Sequence, residues 1–262
     1  MLPLGFTMEG TTYHGSEAMD NKTFYAKLRS GALPTTSAAN PEDTAALFRS
    51  FMERGEDLLH IAFSSGLSST CDAARIAAQM VMEEYPQRKI LVVDSLCASM
   101  GQGFLVHQGV LLRDAGVDLD AAAQKLTDMR LNVVHNFTVD DLNHLHRGGR
   151  VSKATAVVGS LMGIKPILHV DDEGHLTSIG KARGRKASIT ALVDRMESQI
   201  KGFDNSEVFI SHGDCLEDAQ TLAKLVKDRF GIEATLVDFI GPVIGTHSGP
   251  GTLALFFFGS PR

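Results

Sequence analysis

The 262-residue chain has little of what disulfide-stabilised or nucleic-acid-binding proteins require. Its three cysteines, Cys71, Cys97 and Cys215, are an odd number without a close pair, which argues against a disulfide framework and a zinc site and favours a reducing compartment. The formal net charge is −6 and the pI about 5.9. Nucleic acid is therefore not expected as a partner, because phosphate binding needs a basic surface.

Long hydrophobic runs are also absent. The longest apolar run, Leu253–Phe258, is far shorter than the roughly 20 residues needed to cross a bilayer and predicts a buried strand instead. The first residues, 1–5, lack the basic region and the long apolar run of a signal peptide. We therefore expect no integral membrane segment and a cytoplasmic location.

The common catalytic motifs are missing as well. The sequence has no G-x-S-x-G, no phosphate-binding G-x-x-x-x-G-K-[ST], no G-x-G-x-x-G and no H-E-x-x-H. His144 and His146 are two positions apart, so on a helix they face different directions and make a poor metal pair. Asp94, Asp140 and Asp141 could serve as acids or bases, but helix capping and solvent exposure explain these carboxylates more simply. We therefore expect no catalytic constellation, no metal and no cofactor.

The first half of the chain alternates strand-like and helix-like segments. Residues 58–63 and 90–93 read as buried strands, each followed by an amphipathic helix. This order predicts an α/β fold with a parallel sheet flanked by helices. Ligands of such sheets bind at the carboxyl ends of the strands, where Ser64-Ser65-Gly66 and Asp94-Ser95 would lie.

The second half has a different pattern. It predicts a strand at 133–139, a helix at 152–162, a hairpin with arms 167–170 and 176–181, and a long helix from Arg185 to Lys201. Two strand-helix units and a final strand follow. We expect a separate α+β domain, with the domains spanning 1–131 and 132–262.

Three segments combine hydroxyl groups with glycine or proline: residues 34–37, 64–70 and 241–251. In the second, a strand delivers Ser64, Ser65 and Gly66 to a helix start, whose free N–H groups and dipole suit an anion. Plain helix capping by serine is the alternative. In the third, glycines and prolines surround His247, which could donate to a carboxylate or phosphate or serve as a structural hydrogen-bonding group.

Basic side chains cluster in two places in this acidic protein. The first group lies around the Gly148-Gly149 pair and comprises Arg147, Arg150 and Lys153. The second group follows the predicted hairpin and comprises Lys181, Arg183, Arg185 and Lys186. The two groups could be a solvated face or a docking surface for a phosphate-bearing or acidic partner.

Taken in order, these segments resemble the DegV family of bacterial fatty-acid-binding proteins. The resemblance rests on ordered motifs over nearly the whole chain. They are Thr35-Thr36-Ser37, Ser64-Ser65-Gly66-Leu67-Ser68, Val93-Asp94-Ser95, Asp140-Asp141-Leu142, Gly148-Gly149-Arg150-Val151-Ser152, Lys165-Pro166-Ile167-Leu168, Lys181-Ala182-Arg183, Gly241-Pro242 and His247-Ser248-Gly249-Pro250-Gly251. It implies a two-domain fold that holds one long-chain fatty acid between the domains.

The resemblance also implies roles for individual residues. The carboxylate would be bound by Thr36, with Thr35 adjacent, by Ser64 or Ser65, and by His247. The protein would be a carrier rather than an enzyme, presenting the acid to an ATP-dependent fatty acid kinase that forms an acyl phosphate for phospholipid synthesis. Two arginines, Arg150 and Arg183, are implied in that step.

The acyl chain requires an apolar tunnel. We expect residues 157–158, 161–162, Ile164 and 256–258 to line it. Family members usually begin with a further strand-helix unit, so the first domain is expected to lack that unit. Two alternatives stay open: an enzyme acting on a small anionic metabolite with His247 as acid or base, and a regulatory or structural module with a vestigial anion site.

The sequence also departs from the family within two of its motifs. Residues 36–40 read Thr-Ser-Ala-Ala-Asn where Gln-Pro-Ser commonly follows the Thr-Ser pair, and Ser69 stands where glycine is usual. We expect these changes to affect only details of head-group binding.

Overall fold

The computed structural model describes residues 2, 4–14, 19–152, 163–260 and 262. The helix predicted at 152–162, the tunnel positions 157–158 and 161–162, and Lys153 lie outside the described residues, apart from Ser152. The fold class is α/β, as predicted. None of the described helices is long and apolar enough to cross a membrane.

The described strands and helices alternate along most of the chain. The strands are β1 Gly5–Met8, β2 Thr11–His14, β3 Thr35–Thr36, β4 Leu58–Ala62, β5 Ile90–Asp94, β6 Val133–Thr138, β7 Ile164–Val170, β8 Leu176–Arg183, β9 Val208–His212, β10 Ala234–Phe239 and β11 Leu253–Phe258. The helices are α1 Asn21–Arg29, α2 Pro41–Met52, α3 Thr70–Glu84, α4 Met100–Asp114, α5 Leu119–Met129, α6 Asn143–Arg147, α7 Arg185–Gln199, α8 Leu216–Phe230 and α9 Pro242–Ser248, with a 3-10 turn at Arg130–Asn132.

The predicted parallel sheet is formed by β4 and β5, which pair in register from Leu58 with Ile90 to Ala62 with Asp94. Helices cover both faces of these strands. On one face, α2 and α3 bury Phe48 and several alanines against β5. On the other, α4 and α5 bury leucines and Phe104. Burial on both faces explains why these strands read as continuous apolar runs.

Local signals in the sequence fix the helix starts in this half. The Asn40 side chain accepts a hydrogen bond from the Glu42 N–H at 2.8 Å, and Pro41 occupies the first turn of α2. In the same way, Asp118 caps α5 by accepting from the Ala121 N–H at 3.0 Å.

The second half forms a six-stranded mixed sheet with the order β10-β9-β11-β6-β7-β8. Only β10 and β9 pair in parallel, and the other neighbours are antiparallel. Helices α7 and α8 pack on one face through apolar side chains such as Leu192 and Leu222. The opposite face presents Phe137, Phe209 and Phe256 to Phe104 of α4. The first half of the chain thus covers this face of the larger sheet.

The predicted hairpin is present but longer than expected. Its arms are β7 and β8, which pair from Ile164 with Arg183 to Val170 with Leu176. Pro166, which precedes the predicted first arm, lies inside β7 opposite Lys181.

Residues 5–36 form a small unit that the sequence did not predict. Strands β2, β1 and β3 make an antiparallel sheet, and α1 packs beside it. The Tyr25 hydroxyl of α1 is buried and donates to the Ile240 carbonyl at 2.8 Å. Tyr25 stacks with Phe239, which packs against the cluster that also contains Phe6 and Phe24.

The division of the chain into two domains, 1–131 and 132–262, remains a proposal.

Candidate functional site

A cavity of about 860 Å³ lies between the two halves of the chain, within the range of roughly 300–1,000 Å³ usual for small-molecule sites. Its wall is mainly apolar. The lining includes Phe48, Leu59, Phe63, Phe137, Val170 and Phe256. Such a wall suits an apolar ligand, because each buried methylene contributes about 0.8 kcal/mol.

Polar side chains gather at one part of this wall. Thr36, Ser37, Ser68, Arg150 and His247 line the cavity, and Ser69 lines it too. We call these six residues the head-group cluster. They come from β3, the start of α3, the segment after α6, and α9. The cluster can donate several hydrogen bonds to one anionic group.

Thr36 and His247 are in direct contact. The Thr36 Oγ1 lies 2.7 Å from His247 Nε2. Pairing of Thr36 with Phe6 holds β3 beside β1. His247 sits in the short helix α9, whose first residue is Pro242 and which follows Gly241. Two segments that are distant in the sequence therefore meet to form this pair.

The other side of the His247 ring rests against Gly148. A Cβ atom at Gly148 would lie 2.2 Å from His247 Nδ1, so only glycine permits this approach. The Nδ1 atom is buried without a hydrogen-bond partner among the described residues. We assign the proton to Nε2, because a buried unpaired N–H costs more than an unpaired lone pair. Nε2–H then donates to Thr36, which leaves the Thr36 hydroxyl proton available to a ligand.

Burial and the nearby Arg150 lower the pKa of His247 to about 4. The imidazole is therefore neutral at pH 7 when no ligand is bound. Arg150 lies in the cavity wall, where its Nε donates to the Leu67 carbonyl at 3.2 Å and its Nη1 donates to the Gly148 carbonyl. A guanidinium in a mainly apolar wall favours an anionic ligand.

Hydroxyl groups at the start of α3 complete the cluster. Ser68 Oγ lies 2.9 Å from Thr70 Oγ1, which accepts from the Ala39 N–H at 3.2 Å and so ties this helix start to the segment after Thr36. Ser69, at the N-cap, makes no side-chain capping bond. The positive end of the helix dipole adds to the attraction for an anion.

The structure does not place Ser64 and Ser65 as predicted. Neither lines the cavity. Ser64 is fully buried and donates to the Gly174 carbonyl of the β7–β8 turn at 2.8 Å. Ser65 is exposed, and its N–H donates to Asp94 Oδ1 at 3.2 Å. Phe63 lines the cavity, the chain leaves the wall at Ser64 and Ser65, and it returns at Leu67, so Ser68 and Ser69 supply hydroxyl groups to the wall instead.

The remaining predicted residues lie outside the cavity wall. Thr35 is exposed and faces away from it, because neighbouring strand residues point to opposite sides. Arg183 is exposed at the end of β8, opposite Ile164. Neither Arg183 nor Ile164 lines the cavity.

The tunnel expectation at 256–258 holds for one residue of three. Phe256 lines the cavity. Phe257 packs on the opposite face with α7 and α8, and Phe258 packs against Phe104. The alternation of side chains along β11 explains why Phe257 is on the opposite face, whereas Phe258 shares the face of Phe256 but lies outside the cavity wall.

Sequence reasoning did not single out Ser68 and Ser69, which line the cavity. The hydroxyl-rich run 64–70 contained the signal, but spacing alone could not distinguish its first serines from its last.

Comparison with known proteins agrees with this geometry. The family model described as "Uncharacterised protein, DegV family" matches residues 1–260. The chain belongs to the DegV family. The DegV domain-containing protein YteA of Lactococcus lactis subsp. lactis is 42% identical over 260 residues, which is 98% of this chain and 89% of YteA.

Solved DegV structures share the fold. A DegV family protein from Thermus thermophilus, described as fatty acid binding, is 30% identical with a TM-score of 0.87, covering 98% of this chain and 91% of that one. DegV of Bacillus subtilis, described as a fatty acid binding protein, is 31% identical with a TM-score of 0.83, covering 99% and 91%.

Proposed function

We propose that this DegV family protein binds one long-chain fatty acid, with the carboxylate at the head-group cluster and the acyl chain in the apolar cavity. The observation that carries the proposal is the 2.7 Å contact between Thr36 Oγ1 and His247 Nε2 in the wall of that cavity. The proteins of similar fold from Thermus thermophilus and Bacillus subtilis, both described as fatty acid binding, support the proposal.

The cluster provides what a carboxylate needs. Thr36 has a free hydroxyl proton once His247 donates to its oxygen, and Ser68 and Ser69 supply further hydroxyl groups. Hydrogen bonds to a charged acceptor are stronger than those between neutral groups. Arg150 adds a positive charge in a site of reduced polarity.

The same geometry favours a carrier over an enzyme with His247 as acid or base. Burial and Arg150 hold the pKa of His247 at about 4, far from neutral pH, where acid–base groups work best. Among the described residues, no carboxylate orients the imidazole, because Nδ1 faces Gly148. The ring is thus suited to holding Thr36 in place.

We further infer that the bound acid is presented to an ATP-dependent kinase, which forms an acyl phosphate for phospholipid synthesis in the cytoplasm. Arg150 reaches the carboxylate end of the cavity. Lys181 and Arg183 are exposed on the hairpin, and Lys186 is exposed at the start of α7. This charge suits a partner that carries phosphate groups.

Mass spectrometry of an organic extract of the purified protein tests the first step. We expect one long-chain fatty acid per protein molecule, or stoichiometric uptake of added palmitic acid. A protein that contains no lipid and takes none up would contradict the proposal. Turnover of a small anionic metabolite without a partner would favour the enzyme alternative.

A further inference from the structure

Ser64 joins the start of the hydroxyl loop to the hairpin turn of the second half. Its Oγ donates to the Gly174 carbonyl at 2.8 Å and accepts from the Gly66 N–H at 3.2 Å. The single hydroxyl proton is thus already used, and the side chain is fully buried. Ser64 has no donor left for a ligand.

This contact depends on two glycines. Gly174 has a φ of +82°, and a Cβ atom there would lie 2.2 Å from Ser64 Oγ. At Gly66, a Cβ atom would lie 2.7 Å from the Glu173 carbonyl oxygen. The loop and the turn therefore approach each other as closely as backbones without side chains allow.

The loop is held from its other end by Arg150. The Leu67 carbonyl accepts from Arg150 Nε at 3.2 Å, and Arg150 also bonds to Gly148, which supports His247. We call the contacts of Ser64 with Gly174 and of Leu67 with Arg150 the clasp. Ser68 and Ser69, which line the cavity, follow the clasp directly.

Resting on the proposed function, we propose that Ser64 is a positioning residue for carboxylate binding. By fixing the loop against the hairpin turn, it sets where the hydroxyl groups of Ser68 and Ser69 lie. The acyl chain contacts other parts of the cavity wall, so Ser64 contributes to the recognition of the acid group and not of the chain.

The experiment compares palmitic acid with hexadecanol, the alcohol of the same chain length, in two variants. Ser64→Ala removes the clasp hydroxyl, and Ser65→Ala is the matched control, because Ser65 is exposed beside it. We expect Ser64→Ala to weaken palmitic acid binding about tenfold, as loss of one buried hydrogen bond does. Hexadecanol affinity should change less than about threefold, and Ser65→Ala should change neither.

Equal losses for the acid and the alcohol in Ser64→Ala would overturn the proposal, since they indicate a general structural role. A second measurement does not depend on lipid. The N–H groups of Leu67 and Ser68 donate to the Ser64 carbonyl at 3.1 and 3.2 Å. Their hydrogen exchange should accelerate in Ser64→Ala and not in Ser65→Ala, and unchanged exchange would also overturn it.

The experiment also distinguishes failure of the proposed function from failure of the Ser64 proposal. Failure of the wild-type protein to bind either lipid would reject the proposed function, while the exchange measurement would still decide whether the clasp exists. If Ser64→Ala does not fold, Ser64→Cys keeps the volume with a weaker donor, and the same acid-selective loss is expected.

Discussion

Thr36 and His247 touch across 211 positions of sequence, with Oγ1 and Nε2 2.7 Å apart. Each residue comes from a short element, β3 or α9, that has little stability of its own. Packing between the beginning and the end of the chain therefore maintains the pair.

Replacing Thr36 with valine should weaken fatty acid binding about tenfold, because the isosteric side chain cannot donate to the carboxylate. Thr35→Val is the matched control, since Thr35 is exposed and outside the cavity wall. Isothermal titration with palmitic acid measures both affinities. Similar affinities for Thr36→Val and wild type would remove Thr36 from the site.

Gly148→Ala should displace the imidazole, because the added Cβ would lie 2.2 Å from His247 Nδ1. We expect fatty acid affinity to fall by at least about tenfold, with an intact fold by circular dichroism. Gly180→Ala serves as the control, as its Cβ would make an ordinary contact of 3.7 Å. If Gly148→Ala binds normally, the ring does not depend on this close approach.

Stability of the lipid-free protein should decrease in mild acid. Burial lowers the pKa of His60 to about 4 and of His135 to about 3, and burial with Arg150 lowers that of His247 to about 4. The unfolded chain, with histidine pKa values of about 6.5, binds more protons below that pH. The free energy of unfolding is therefore highest above pH 6.5 and falls towards pH 4, by up to about 1.4 kcal/mol per pH unit for each histidine.

His135→Gln tests this linkage. His135 accepts from the Ala98 N–H at 3.2 Å and contacts the Val133 carbonyl at 3.0 Å, and glutamine offers both kinds of group without titrating. Urea unfolding from pH 7 to pH 4.5 should give a shallower slope for the variant than for wild type. Identical slopes would show that His135 is not buried as a neutral group.

Arg183→Ala should leave palmitic acid affinity unchanged, because Arg183 is exposed and outside the cavity wall. It should reduce acyl phosphate formation when a fatty acid kinase and ATP are added. Arg150→Ala should lower both, since Arg150 lines the cavity and supports Leu67. A normal rate of acyl phosphate formation with Arg183→Ala would exclude Arg183 from the partner surface.

Elements with strong periodicity or capping signals could be predicted from the sequence. The parallel pair of β4 and β5 and the hairpin of β7 and β8 were both confirmed. The three-stranded sheet of residues 5–36 could not be predicted, because its strands are only two to four residues long. Such strands form only when tertiary packing supports them.

The site was predictable in part, for a physical reason. Thr36 and His247 lie where the sequence placed them, in the wall of one cavity. Ser64 does not line this cavity. Its hydroxyl could face a ligand or bond to a neighbouring backbone group, and the position of the Gly174 carbonyl decides between the two. That position follows from how the hairpin docks, which no local pattern encodes.

The packing of residues 5–36 against the region around Phe239 has a consequence for synthesis. A ribosome makes Thr36 211 residues before its partner His247. Because domains fold from the N-terminal end as they emerge, a nascent chain would have the parallel sheet long before the pair of Thr36 and His247 could form. The proposed carboxylate site is therefore completed only after His247 has been synthesised, and we expect chains that end before it to bind no fatty acid.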